Sequence, residues 1–515
     1  MACPSVVEAL SGRLHFAGSP LFLNGVNLAW LSYHADTNAS LARGEGLTTF
    51  CGWEEAIRFT VRNGGNSLRV WLLQDPASAL RLHEGGVRGL KQGVIRVAKT
   101  LLELAANYNV FVVLTLFNGA AGSERDCALF SEAGALNELI ETVIHPLALA
   151  LRSYNSLAMW EVINEPEGML DLNQIKSAAV RAAASECAGD YDRAGWNKAC
   201  QLSPSQLLRF INRVAAALRE ADGRHLITVG AWHACTSSNG PVGSLNLFSS
   251  ARLREAGGMQ QGFLDVFQVH SYPKEKGGSA FGNGSPTLTN VAAYGIGSPV
   301  IIGEISNRWI VQPASEMADA TAEHSELGTT MADLYASALA RGYAGIFGWA
   351  YNCDPKHDDG CVGRESLAHA LRRAAQRLPG EVVPRPRVRN MRCDCPSRGN
   401  RVWSYTCHEQ AEWGKCLEPR VAEVCTSWCS NCGEPLDAPP ETPTCLEWSF
   451  GSFVTDGFEA GHECVARAKG TWSFGAHQIS GDESASSAIV HQCNSTTDRR
   501  QVQHIVNADE SIDQL

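Results

Sequence analysis

The stretch LAMWEVINEPEG, residues 157–168, carries an apolar, strand-like run straight into Asn164, Glu165 and Pro166. Met159, Trp160, Val162 and Ile163 read as buried strand, yet the run finishes on a carboxylate. A carboxylate there is costly unless it is paired, solvated or chemically employed. Such a strand makes sense as one of a repeated set whose ends gather at a polar cleft.

Working outward, seven further strand-like runs appear at Leu21–Ala29, Ser67–Leu72, Val110–Leu116, Leu226–Gly230, Phe263–Val269, Pro299–Ile302 and Gly342–Trp349. Between most of them lie amphipathic helical stretches, such as GVIRVAKTLLELAANYN at 93–109 and SQLLRFINRVAAALREAD at 205–222. Several close with Gly or Asn just before the next strand, which suits a helix stop. Eight strands alternating with helices over residues 1–378 predict an α/β protein built on a (β/α)8 TIM barrel. A doubly wound sheet is the alternative, but no glycine-rich phosphate loop follows the first strand.

The 515 residues are 44% hydrophobic, enough for a substantial core. A net charge of −11 and a pI near 5.8 argue against nucleic acid or an anionic membrane as partner and suit a neutral substrate. No run is long and apolar enough for a transmembrane helix. The N-terminus lacks the basic and apolar regions of a signal peptide. The cysteines point outward nonetheless. Of 18, Cys393, Cys395, Cys407, Cys416, Cys425, Cys429 and Cys432 crowd into one short region, the density of a disulfide-stapled module. A secreted protein whose leader is missing from this sequence is expected; a cytosolic zinc module is the competing account. Sequons at Asn38, Asn283 and Asn494 add little.

Texture changes along the chain. Residues 379–392 read as a linker with three prolines, 393–432 as the cysteine-rich module, 433–444 as a Pro-rich spacer, and 445–515 as a Cys-containing tail without an assigned fold. Cys187 with Cys200, and Cys353 with Cys361, bracket loops and are candidates for bridging.

A barrel gathers chemistry where its strands end. Glu165 ends the fourth strand, and PVIIGE, residues 299–304, ends the seventh on Glu304. Carboxyl groups about 5–5.5 Å apart there would suit a retaining glycosidase. Arg69 in NSLRVWL ends the second strand, where it would keep a nucleophilic carboxylate ionised. His270 and Tyr272 end the sixth, and Trp349 in GWAY ends the eighth as a platform for a sugar ring. Trp30, Trp71 and Trp232 lie at or just past strand ends, and serve either as sugar contacts or as packing. Asn118 is a further candidate, whereas Glu161 and Glu167 read as structural or solvent-facing.

Together, WEVINEPEG, NSLRVW, VHSYP, PVIIGE and GWAY resemble glycoside hydrolase family 5. Within it, NGVNLAW, NGGNSLRVWL, TLFNGA, NEPEG and TVGAW are similar to the invertebrate-type endo-β-1,4-mannanases, across nearly all of residues 10–378. The resemblance implies that Glu165 is the acid/base, Glu304 the nucleophile and Asn164 the residue binding the sugar 2-hydroxyl, with Arg69, His270, Tyr272 and Trp349 in support. It implies double displacement on a β-1,4-linked mannan by a monomeric enzyme needing no metal or organic cofactor. One departure is Phe117, where the related motif reads TLWNGA; it either weakens a sugar contact or repacks a wall. The module at 393–432, above all YTCHEQAEWGKC, resembles cysteine-rich modules of algal and invertebrate polysaccharide hydrolases. That implies polysaccharide binding, with Trp403, Tyr405, Trp413 and Trp428 as stacking candidates. The rival functions are an endo-β-1,4-glucanase on the same scaffold and a non-catalytic polysaccharide-binding protein.

Overall fold

A computed structural model describes residues 6–31, 46–120, 126–171, 174, 195, 197–242, 245–272, 289–307, 329–352 and 361–378, with short strand segments between 401 and 506. Eight strands close into a barrel: β1 (Leu23–Asn27), β2 (Ser67–Trp71), β3 (Phe111–Asn118), β4 (Leu157–Asn164), β5 (Leu226–Ala231), β6 (Phe267–Ser271), β7 (Val300–Ile305) and β8 (Gly345–Gly348). Neighbours in sequence are neighbours in the barrel, every pair is parallel, and β8 closes onto β1 through Gly345 opposite Leu23. Each strand is buried on both faces, which is why the runs are apolar throughout rather than alternating.

Two runs enter their ladders later than the apolar pattern predicts. β6 starts at Phe267 and β8 at Gly345. Leu264, Val266, Tyr343 and Ala344 are buried all the same, on the approach rather than in the sheet. Burial makes a residue apolar whether or not its backbone pairs.

The helices wrap the barrel as expected. α1 (Gly46–Arg62) and α2 (Val94–Asn107) precede β2 and β3. α2 packs Ala98, Leu101, Leu102 and Ala105 inward, and Asn109 then takes a left-handed conformation (φ 54°) that turns the chain into β3. α3 (Pro204–Ala221) starts with a capping box between Ser203 and Gln206, with Pro204 in its first turn, and buries Leu207, Phe210, Ile211, Val214 and Leu218. α4 (Met331–Ala340) and α5 (Arg364–Ala375) flank β8. An antiparallel sheet of Val7–Leu10, Arg13–Phe16 and Ser19–Leu21 covers the barrel floor, setting Val7, Leu14 and Leu21 against Leu23, Phe111, Met159, Ile301 and Phe347.

The chain divides into two compact units, Ser5–Glu434 with the barrel, and Met1–Pro4 with Pro435–Leu515. In the second, Ser487–Gln492 pairs antiparallel with Glu463–Arg467 and Gln501–Val506, and Gly470–Phe474 forms a ladder with His477–Gly481. Of the cysteine-rich stretch only the pairing of Arg401–Val402 with Tyr405–Thr406 is described. Its seven cysteines, Trp403, Trp413 and Trp428, and both linkers, lie outside the described residues. Among the described residues, no helix is long and apolar enough to cross a membrane.

One expected cysteine pairing is corrected. Cys200 is bonded to Cys127, not to Cys187. The helix Cys127–Ser131, after β3, and the segment after β4 rise from adjacent strands, so the fold joins cysteines 73 residues apart rather than near neighbours in sequence. Cys235 and Cys361 are also disulfide-bonded, while Cys187 and Cys353 lie outside the described residues. Replacing Cys127 and Cys200 together by Ser should lower the free energy of unfolding by about 2–4 kcal/mol in urea titration, since the bridge closes a long loop. An unchanged midpoint would mean that it adds nothing to stability.

Candidate active site

The mouth of the barrel is organised around one cation. Arg69 on β2 is fully buried, and its five N–H donors each meet an acceptor. Nε and Nη2 donate to the two oxygens of Glu161 at 2.7 and 2.5 Å, and Nη2 also donates to Asn164 Oδ1 at 2.6 Å. Nη1 donates to Asn27 Oδ1 at 2.9 Å and to Glu304 Oε1 at 2.7 Å. Burial alone would pull the guanidinium's pKa down. Its contacts with Glu161 and Glu304 outweigh that and hold it above its ordinary value. Gly230 on β5 makes room, since a Cβ there would fall 2.5 Å from Glu161 Oε1. Of the two roles weighed for Glu161, the structural one holds: it is completely buried.

Glu165 follows β4 directly, in the left-handed region (φ 42°, ψ 57°). That conformation costs a residue with a side chain about 1–2 kcal/mol, and neighbouring strands impose it. Glu165 N–H donates to Gly230 O at 2.6 Å, and Gly119 N–H donates to Asn164 O at 2.6 Å. Gly119 is obligatory here, because a Cβ would fall 2.5 Å from the Glu165 carbonyl oxygen.

Glu304, on β7, accepts from Tyr272 OH at 2.7 Å on the oxygen that Arg69 leaves open. His270 Nδ1 lies 2.7 Å from Glu165 Oε1 and 3.5 Å from Glu304 Oε2. One ligand atom from each of Glu165, His270 and Glu304 lies within 4.8 Å of the others. Three such donors have the spread to hold a metal ion. Both oxygens of Glu304 already accept hydrogen bonds, from Arg69 and from Tyr272, so the buried guanidinium already supplies the positive charge at this carboxylate.

The two carboxyls are electrostatically unequal. Burial, then the charge of Glu167, pushes Glu165 up to about 8 against the pull of Arg69. Burial also raises Glu304, but there His270 first, then Arg69 and the Tyr272 hydroxyl, both in hydrogen-bond contact, pull the other way. Burial pushes His270 down to about 4, so its ring is neutral at pH 7. Glu304 is therefore the carboxyl favoured to ionise and Glu165 the one favoured to keep its proton.

Aromatic rings flank the pair. Trp71 and Trp349 form a cluster against which Trp30 and Tyr272 pack, with Trp30 at 5.3 Å from Trp71 and 5.8 Å from Trp349. Trp232 stacks on Tyr272 at 6.0 Å and 19°. Asn118 Oδ1 accepts from Asn164 Nδ2 at 3.0 Å and so orients that side chain. All eleven residues singled out from the sequence thus belong to one mouth. Phe117 does not: it is buried against Phe130 and Phe210, so the departure repacks an outer wall. Asn27 was not singled out, although NGVNLAW placed it at a strand end; Glu167, read as structural or solvent-facing, is buried.

No family model matches the chain. It is 28% identical over 370 residues to a mannan endo-1,4-β-mannosidase of Cryptopygus antarcticus, covering 70% of this chain and 89% of that one. It is also 28% identical to the Mytilus edulis enzyme of the same name, over 68% and 88%. The crystal structure of an endo-1,4-β-mannanase from Eisenia fetida is similar with a TM-score of 0.62 and 26% identity, over 72% of this chain and 95% of that one. The barrel is a glycoside hydrolase similar to these mannanases.

A raised carboxyl pKa has a sign in stability. The unfolded chain releases the Glu165 proton near 4.5, while the folded state keeps it to about 8. Folding therefore loses stability as pH rises between those values. Glu165→Gln should stabilise the protein by about 1 kcal/mol or more at pH 9, a gain that fades below pH 4.5. Denaturant titrations at both pH values check this; a pH-independent difference would contradict it.

Proposed function

We propose that the barrel is a retaining endo-β-1,4-mannanase in which Glu304 is the nucleophile and Glu165 the acid/base. The observation that carries the assignment is the approach of the two carboxyls within 4.8 Å, with the Arg69 guanidinium in contact with Glu304 and not with Glu165. Retaining enzymes need such a separation, because no water fits between the second carboxylate and the sugar.

Glu304, ionised beside Arg69 and Tyr272, attacks the anomeric carbon. Glu165, holding its proton, delivers it to the departing glycosidic oxygen, so a glycosyl ester forms as the C–O bond breaks. Glu165, now a carboxylate, takes a proton from water, whose oxygen attacks the same carbon and releases Glu304. Neutral His270, facing both carboxyls through Nδ1, adds no positive charge that would strip Glu165 of its proton.

The mannan preference is supported by the relatives' activity. Asn164, held by Arg69 and Asn118, stands beside the nucleophile as the contact for the 2-hydroxyl, the group that differs between mannose and glucose. Trp30, Trp71, Trp349 and Trp232 offer faces for successive sugar rings. The Cys127–Cys200 bridge supports an oxidising, extracellular setting. The cysteine-rich stretch 393–432 is assigned to bind the polymer, on its sequence alone.

Purified protein should release reducing ends from mannan and glucomannan. Glu304→Gln should lower this by about a thousandfold or more. Glu165→Ala should retain much more activity on an aryl glycoside whose leaving group needs no proton than on the polymer. Hydrolysis of carboxymethylcellulose alone would overturn the mannan assignment, and undiminished Glu304→Gln activity would overturn the mechanism.

A further inference from the structure

Glu167 stands two residues past Glu165, in the short turn Pro166–Met169, and is buried. Its two oxygens hold the loop that follows β5. Oε2 accepts from Trp232 N–H at 3.0 Å, and Oε1 accepts from Thr236 Oγ1 at 2.7 Å. Its own backbone is pinned, with Glu167 O accepting from Gly195 N–H at 3.0 Å. A carboxylate with one donor on each oxygen is used as an anion clamp rather than as space filling.

What it clamps connects to the chemistry. Trp232 stacks on Tyr272, and the Tyr272 hydroxyl donates to Glu304. A continuous set of contacts therefore runs from the turn bearing one catalytic carboxyl, through Glu167, Trp232 and Tyr272, to the other. We propose that Glu167 is a positioning residue for catalysis, clamping the β5 loop so that the Trp232–Tyr272 wall and the two carboxyls keep one fixed arrangement. This inference rests on the assignment of Glu165 and Glu304 as the catalytic pair.

The clamp's charge acts as well as its geometry. Glu165 is faced by Arg69 from β2, Glu161 from β4, His270 from β6, Glu304 from β7 and Glu167 from its own turn. Of the like charges, Glu167 presses most strongly on it. Glu167 itself is faced by His233 from the β5 loop and by Glu165. A carboxylate beside the proton donor delays that donor's ionisation.

Glu167→Gln separates the two effects. The amide oxygen still accepts from Trp232 N–H, and the amide NH2 meets Thr236 Oγ1, whose proton already has the His233 carbonyl at 2.8 Å as a second acceptor. The tether stays and the charge goes. The experiment measures kcat and KM on soluble mannan across pH for the full-length protein and for Glu167→Gln, Glu167→Ala, Thr236→Val and Glu304→Gln, with melting curves for each. Glu167→Gln should keep kcat at its optimum within about threefold, while the alkaline limb of kcat/KM moves down by about one pH unit. Glu167→Ala should lower kcat about tenfold or more at every pH. Thr236→Val, which keeps the charge, should lower kcat with the alkaline limb in place; if the Ala variant does not fold, it and the Gln variant decide. A folded Glu167→Ala with parental kcat, or a Glu167→Gln with an unmoved limb, overturns the proposal. Full activity in Glu304→Gln instead brings down the catalytic assignment itself, and this inference with it.

Discussion

A single buried guanidinium sets the terms for the barrel mouth. Arg69 has no solvent to fall back on, so each of its donors must find protein acceptors, and these come from β1, β4 and β7. Removing Arg69 itself would break its buried ion pairs with Glu161 and Glu304, at a cost of about 3–5 kcal/mol. The strand ends are thereby locked in register around one point. Glu304 is placed by this lattice before any substrate arrives, and Asn164 beside it.

Charge counting explains the asymmetry of the pair. Glu161, Glu165, Glu167 and Glu304 are all buried near one another, and Arg69 is the cation in contact with two of them. His270 is held neutral at pH 7 by its burial. Ionising all four carboxyls in so little solvent is prohibitive. Glu167 lacks an Arg69 contact too, but each of its oxygens accepts a hydrogen bond, from Trp232 N–H and Thr236 Oγ1, so the proton is favoured on Glu165. The proposed roles of acid and nucleophile thus follow where Arg69 can reach.

Much of this was legible in the sequence, for a physical reason. Strands buried on both faces read as uninterrupted apolar runs, so a polar residue closing one stands out, and Glu165, Glu304, Arg69 and His270 all do. Other features carried no such signal. Glu161 sits inside a strand, where its meaning depends on Arg69, a residue 92 positions away that only closure of the barrel brings near. Glu167 reads as a loop acid until the β5 loop folds over it. Phe117 left two readings open, a weakened sugar contact or a repacked wall, until its packing on Phe130 and Phe210 in the helix layer chose the second. The Cys127–Cys200 bridge depends on which strands are neighbours, information that spacing does not hold.

The central claim is that the two carboxyls stand close enough for one to attack the sugar directly. Stereochemistry reads that distance without mutation. Proton NMR of mannooligosaccharide cleavage, recorded before mutarotation, should show the newly formed reducing end first as the β-anomer. An initial α-anomer would demand a water between carboxylate and sugar, and a separation of about 6.5–9.5 Å that the barrel mouth does not have.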